Sequence, residues 1–207
     1  MLSYLILGGT YAFAAAVQPG QLQAYLISQT MANGWRRTMP AAFAPILSDI
    51  PVIALVLLVL TRLAGLVLPL IQLAGGVFLL YLAWGAFRAA RAYAAAVTAP
   101  TRPPHRTLLD AVLVNLLNPN PYLGWSLVLG PLLIRAWRQS PATGLAFVAA
   151  FYATMVAVTA AIVLVVALAR SAGPRIARVL VGLSAVALAG IGIYQLWSGA
   201  AALVRRS

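Results

Sequence analysis

Apolar residues gather along this chain into six long blocks with short polar connections between them. The blocks run about Tyr4–Ser28, Pro40–Thr61, Val67–Phe87, Leu108–Ile134, Ala142–Ala169 and Ile176–Val204. Each is long enough to cross a hydrocarbon core about 30 Å thick. The pattern predicts an all-α polytopic membrane protein with six transmembrane helices. The first block has no positively charged region before it and is longer than the apolar core of a signal peptide, so it is expected to remain in the mature protein.

Two of the blocks carry punctuation that a continuous helix does not tolerate. In the first, the order is Ala16-Val17-Gln18-Pro19-Gly20-Gln21-Leu22-Gln23. Pro19 removes a backbone donor and Gly20 relaxes the backbone, so a break is expected there. In the fourth, the order is Asn115-Leu116-Leu117-Asn118-Pro119-Asn120-Pro121-Tyr122, and a second break is expected over Asn118–Pro121. Broken helices at corresponding positions of two halves point to a transporter binding site near the bilayer midplane.

The correspondence extends beyond the breaks. Trp35-Arg36-Arg37 matches Trp137-Arg138-Gln139, and Pro40 matches Pro141. Late in each half, Tyr81, Trp84, Gly85 and Ala86 are echoed by Tyr194, Trp197, Gly199 and Ala200. The chain therefore divides into a first three-helix repeat over residues 1–97, a Pro-rich connecting loop over 98–107 and a second repeat over 108–207. Three crossings per half place the halves in the membrane with opposite orientation, a 3+3 inverted repeat with broken first and fourth helices. Pro100, Pro103 and Pro104 keep the connecting loop out of regular helix.

Composition narrows the class. Of 207 residues, 63% are hydrophobic and only 8% charged, with a mean hydropathy of +0.97; soluble domains carry far more charge. All 14 basic residues are arginine, and the acids are Asp49 and Asp110. The net charge of +12 does not imply nucleic acid, because the arginines fall in the connections, where they meet lipid headgroups and set orientation. Nine arginines lie in the first, third and fifth connections and five on the other side, which predicts both termini outside. The absence of cysteine excludes thiol and disulfide chemistry, including an electron carrier with paired cysteines in its first and fourth helices. His105 is the only histidine, which excludes a histidine cluster.

Asp49 is the one acid well inside a block. It follows Pro40 by nine residues, about 13–14 Å along a helix and so near mid-membrane. Intramembrane acids mark ion or proton paths. Pro45 and Pro51 free the carbonyls of Ala41 and Leu47 nearby, which suits a substrate ammonium or a proton. Desolvation disfavours the ionised form and so favours proton binding. After Pro19 and after Pro121 the first N–H groups of a new half-helix lack helical partners and attract a carboxylate. Gln18, Gln21, Asn118 and Asn120 are placed to cap those ends or touch substrate, with Asn115 on the same face as Asn118.

Other features read as structural. Gln23 and Gln72 are expected to hydrogen-bond between helices. Gly182, Ala185, Ala189 and Gly192 on the last block, and Gly76, Ala83, Ala86 and Ala90 on the third, have the spacing of close helix packing, within the protomer or in a homodimer. Trp35, Trp84, Trp137 and Trp197 lie near block ends and read as interfacial belts. Asp110 opens the fourth block and reads as a cap.

These residues resemble the LysE/RhtB family of amino-acid exporters, in the LysE superfamily. Its first motif stands here as Pro19-Gly20-Gln21, followed by Ala32-Asn33-Gly34-Trp35-Arg36-Arg37; its acid stands as Asp49; its third motif stands as Asn115-Leu116-Leu117-Asn118-Pro119-Asn120. Gln21 replaces the family's second proline and Asn120 its lysine, which marks a divergent member. The resemblance implies a multi-pass protein of the bacterial inner membrane. It implies a secondary exporter of amino acids or similar small zwitterionic metabolites, driven by proton exchange at Asp49, with substrate bound by Gln18, Pro19, Gly20, Gln21, Asn115, Asn118, Pro119 and Asn120. No cofactor, metal or enzymatic activity is expected. A cation or metal exporter of the same superfamily and a lipid-handling accessory protein remain as alternatives; a single acid speaks against the former.

Overall fold

The computed structural model describes residues 1–18, 20–56, 61–94, 103–171 and 173–204, and among these every regular element is helical. Helix α1, Leu2–Val17, ends where the backbone of Gln18 turns extended (φ −60°, ψ 125°), and Gly20 is extended too (φ −165°, ψ −170°). Pro19 lies outside the described residues. Helix α2, Gln21–Asn33, then begins. It stops at Gly34, whose φ of 85° is one that side chains with a Cβ rarely adopt. A short α3, Trp35–Thr38, passes through a 3₁₀ turn over Met39–Phe43 into α4, Ala44–Leu55. Helix α5 is Thr61–Ala94.

The second half starts with α6, Pro104–Leu116. The expected loop over 98–107 thus gives way to helix at Pro104, because proline at the first helical position loses only a donor that would be unpaired anyway. Asp110 is in the body of α6 rather than at its cap, and its carboxylate accepts from the buried Tyr25 hydroxyl at 3.3 Å. The break after α6 is confined to Leu117 and Asn118; Pro119 and Pro121 belong to α7, Pro119–Gly124, at positions where a helix needs no donor. The break is therefore shorter than the expected Asn118–Pro121. A wide π turn over Trp125–Leu129 leads into α8, Gly130–Gln139. Pro131 has no N–H for the Leu127 carbonyl, and a π bulge absorbs that loss. The long helices α9, Pro141–Ser171, and α10, Pro174–Val204, complete the chain.

Among the described residues four stretches are long and apolar enough to cross a membrane: Trp35–Leu55, Pro69–Arg88, Pro141–Ala169 and Arg178–Val204. The first and fourth expected crossings are made of pieces instead, α1 with α2 and α6 through α8.

Burial follows from the side-chain spacing. On α9 the buried set Phe147, Phe151, Met155, Thr159 and Val163 repeats every four residues, one inward stripe. On α4, Pro45, Ser48, Asp49 and Val52 face inward while Leu47 and Ile50 face out. Helix α2 is buried on most sides and forms the centre. One apolar cluster joins α2 to α5, α6, α9 and α10; a second joins α1, the end of α4, the π turn and α9. Helices α5 and α10 pack tightly along the small-residue faces. A Cβ on Gly76 would fall 2.7 Å from the Gly192 carbonyl. Gly182 has nothing within 4 Å of its Cβ position, so the expected packing face on α10 stops short of it. Trp35, Trp84, Trp137 and Trp197 are all exposed.

Candidate functional site

Asp49 is buried on the inward face of α4. Three neutral donors from three other parts of the chain converge on its carboxylate. The Trp125 indole N–H donates to Oδ2 at 3.1 Å, and the Tyr152 hydroxyl donates to the same oxygen at 3.1 Å. The Asn115 amide reaches Oδ1 at 3.4 Å and donates more closely to the Ser48 hydroxyl, at 2.7 Å. Ser48 in turn donates to the Ala44 carbonyl at 2.9 Å. Among the described residues no basic side chain takes part. The carboxylate is thus held by dipoles, with Oδ1 the less occupied oxygen.

Each element places its donor for a local reason. Asn115 is on the last turn of α6, on the face with Ala111 and Val114. Trp125 opens the π turn, and the register shift there turns its ring inward against Phe151. Tyr152 neighbours the buried α9 stripe, its ring edge-on to Phe151 with centroids 5.0 Å apart.

The two breaks meet. The Gln21 amide donates to Asn118 Oδ1 at 3.3 Å, and the backbone N–H of Asn120 donates to the same oxygen at 3.1 Å. Asn118 therefore caps α7 and ties it to the start of α2. The last carbonyls before each break are also served. The Gln23 amide donates to the Ala16 carbonyl at 2.7 Å, joining α2 back to α1. The Asn118 N–H donates to the Asn115 carbonyl and the Tyr122 hydroxyl to that of Leu116. The carbonyl of Leu117 would bond residue 121 in a regular helix, and Pro121 has no N–H. It points instead at Gly75, beside the Gln195 amide.

The two new helix starts are not equivalent. In α7, Pro119 and Pro121 have no N–H and that of Asn120 is bound by Asn118. The expected carboxylate-binding donors after Pro121 are thus absent, because prolines hold two of the three first positions. At α2 no side chain caps the first turn, so the N–H groups of Gln21, Leu22 and Gln23 carry the partial positive charge of a helix start.

A cavity of about 370 Å³ opens between these groups. Gln18, Gly20, Gln21, Asp49, Asn115, Asn118 and Asn120 all line it. Pro119 is not among the lining residues, its place being the outer first turn of α7. Gln21 is buried, and its Oε1 has no hydrogen-bond partner among the described residues. The remaining wall is mostly apolar, from Ala15 of α1, Leu123, Leu127 and Val128 around the π turn, and Phe151 and Met155 of α9, with the Gln23 amide and the Tyr11 phenol as its polar groups. The cavity lies where the two apolar clusters meet, with Leu22 from one and Trp125 and Phe151 from the other.

Trp125 and Tyr152 were not legible as partners of Asp49 in the sequence, nor was Ser48 as the partner of Asn115. A signal for Tyr152 existed: it follows Pro141 by eleven residues, as Asp49 follows Pro40 by nine, so the Pro40–Pro141 correspondence sets both at similar depth. Trp125 had none, since its orientation depends on the π turn.

The arrangement presents one carboxylate, a set of amides and a helix start to a small, partly open cavity. That combination is chemically suited to opposite charges on one small molecule. Among the described residues no three His, Cys, Asp or Glu side chains come together in a group able to hold a metal ion. A family model described as LysE type translocator matches residues 13–199. No curated protein and no solved structure matches the chain.

Proposed function

The chain belongs to the LysE type translocator family, a family of membrane transporters, and from that premise we propose that it exports amino acids or similar small zwitterions in exchange for protons. The observation that carries this reading is Asp49 facing a cavity bounded by both helix breaks. The substrate ammonium binds the Asp49 carboxylate. Its carboxylate lies against the uncapped first turn of α2 at Gly20 and Gln21, within reach of the amides of Gln18 and Asn120. Asn118 and Asn115 hold the walls, the first by bridging the breaks and the second by orienting Asp49. Pro19 and Pro119 act by shaping the backbone.

Proton exchange follows from Asp49 serving two partners in turn. Ionised, it holds the ammonium; protonated, it lets the empty cavity return without an unpaired buried charge. Alternating access is supported by how the halves pack. Helix α1 packs on α9 while α6 packs on α4, and α5 packs on α10. Exchange of partners between first and second helices, with the third helices paired to each other, is the arrangement a six-span 3+3 inverted repeat produces.

The test is counterflow of labelled amino acids in proteoliposomes under an imposed proton gradient. Exchange accelerated by the gradient, with proton movement in the opposite sense, is the expected result. Absence of exchange for every amino acid tried would remove the reading.

A further inference from the structure

Building on the exporter reading, we infer that the cavity selects amino acids with a neutral, apolar side chain and rejects basic and acidic ones. The argument begins with charge. Among the described residues the lining holds one carboxylic acid, Asp49, and no arginine, lysine or histidine. A zwitterion already uses what is there: Asp49 for the ammonium, the α2 start for the carboxylate. A third charge on the side chain would be taken from water with no partner, and a site rejects such a ligand strongly.

The wall left for the side chain is mostly apolar and backed by rigid rings, with no charged group in it. Trp125 donates to Asp49 and meets Phe151 edge-on, with centroids 5.9 Å apart; Phe151 in turn lies 6.5 Å from Tyr11. This row of rings leads from the carboxylate along α9 and α1, and Met155 and Leu127 extend it. Trp125 and Phe151 are 2% and 3% exposed, so these rings are fixed by packing before a ligand arrives and back the wall more than they supply its surface. An ammonium at Asp49 therefore directs its α-carbon substituent onto apolar surface. Met155 is flexible and fills irregular gaps, which suits a branched or thioether side chain as well as a ring.

An alkylammonium ion would satisfy Asp49 and the rings as well. The uncapped start of α2 favours the amino acid, since an amine has no carboxylate to place there.

The experiment is competition against leucine counterflow in proteoliposomes holding the wild-type protein. The panel is methionine, phenylalanine, alanine, threonine, lysine, glutamate and 2-phenylethylamine. Methionine and phenylalanine are expected to compete within about tenfold of leucine. Alanine is expected to be weaker by about tenfold or more, since one methylene in an apolar pocket is worth about that much. Lysine and glutamate are expected to be weaker by at least about a hundredfold. Lysine, glutamate or threonine competing as well as leucine would overturn the apolar assignment and leave the exporter reading standing. Amine competing as well as phenylalanine would overturn it too, in favour of monocations. No counterflow for any amino acid would instead remove the exporter reading. Met155→Glu adds a counter-charge to the apolar wall and is expected to bring lysine within about tenfold of leucine. The wild-type panel decides the question whether or not that variant folds.

Discussion

At Asp49 a carboxylate is held in the interior by an indole, a phenol and an amide rather than by a cation. Neutral donors stabilise the charge without cancelling it, so it stays available to a ligand. Asp49→Asn removes the charge with almost no change of shape, and deleting a buried charge leaves stability unchanged or improved. The variant is expected to fold and to lose proton-driven counterflow, measured in liposomes with thermal unfolding run beside it. Full gradient-driven transport by a stable variant would make Asp49 structural. Trp125→Phe tests the donor. It keeps a ring against Phe151 and deletes one hydrogen bond to Oδ2, which leaves that oxygen to Tyr152. The expected cost is about 1 kcal/mol of stability. Transport is expected to fall by about tenfold, the kinetic equivalent of losing about 1.4 kcal/mol at the transition state.

At the scale of elements, the fourth-span break rests on a carbonyl that its own helix cannot serve. Leu117 lacks a donor because of Pro121, and its oxygen lies against Gly75 of α5 next to Gln195 of α10. Gln195 is 2% exposed, and neither of its amide atoms has a partner among the described residues. A methyl group at Gly75 would collide with both oxygens, and backbone at the break cannot give way as a side-chain tip can. Gly75→Ala is expected to cost about 1–3 kcal/mol, the range for overpacking. Gly182→Ala, where the Cβ meets open space, is expected to gain up to about 1 kcal/mol from helix propensity. Thermal unfolding in detergent separates the two. Equal melting temperatures for both variants would show that the close approach at Gly75 carries no weight.

At the scale of the whole molecule, the orientation rests on the arginines. The nine-to-five distribution between alternate connections favours the first, third and fifth in the cytoplasm, with both termini outside. A reporter active only outside the cytoplasm, fused after Ser207, is expected to be active; activity of a cytoplasm-only reporter there would reverse the assignment. The close faces of α5 and α10 are used within the protomer, so a homodimer would need a different surface.

The membrane class, the helical architecture and the position of both breaks were determined by the sequence alone, because apolar block length, proline and glycine act locally. Asp49 stood out for the same reason: one acid in an apolar block needs no tertiary information to be noticed. Where each break begins and ends was decided by capping, as Asn118 and the placement of Pro119 and Pro121 at the start of α7 show. The partners of Asp49 were decided by packing alone, since Asn115, Trp125 and Tyr152 lie on three separate stretches that only the fold brings together. The two breaks read alike in sequence and differ in chemistry. At α7 two prolines and one side chain leave the first turn no N–H to offer, while at α2 that turn stays uncapped. That difference depends on which donors remain unpaired after the chain has folded, and under the proposed function it leaves the cavity one end for a carboxylate rather than two.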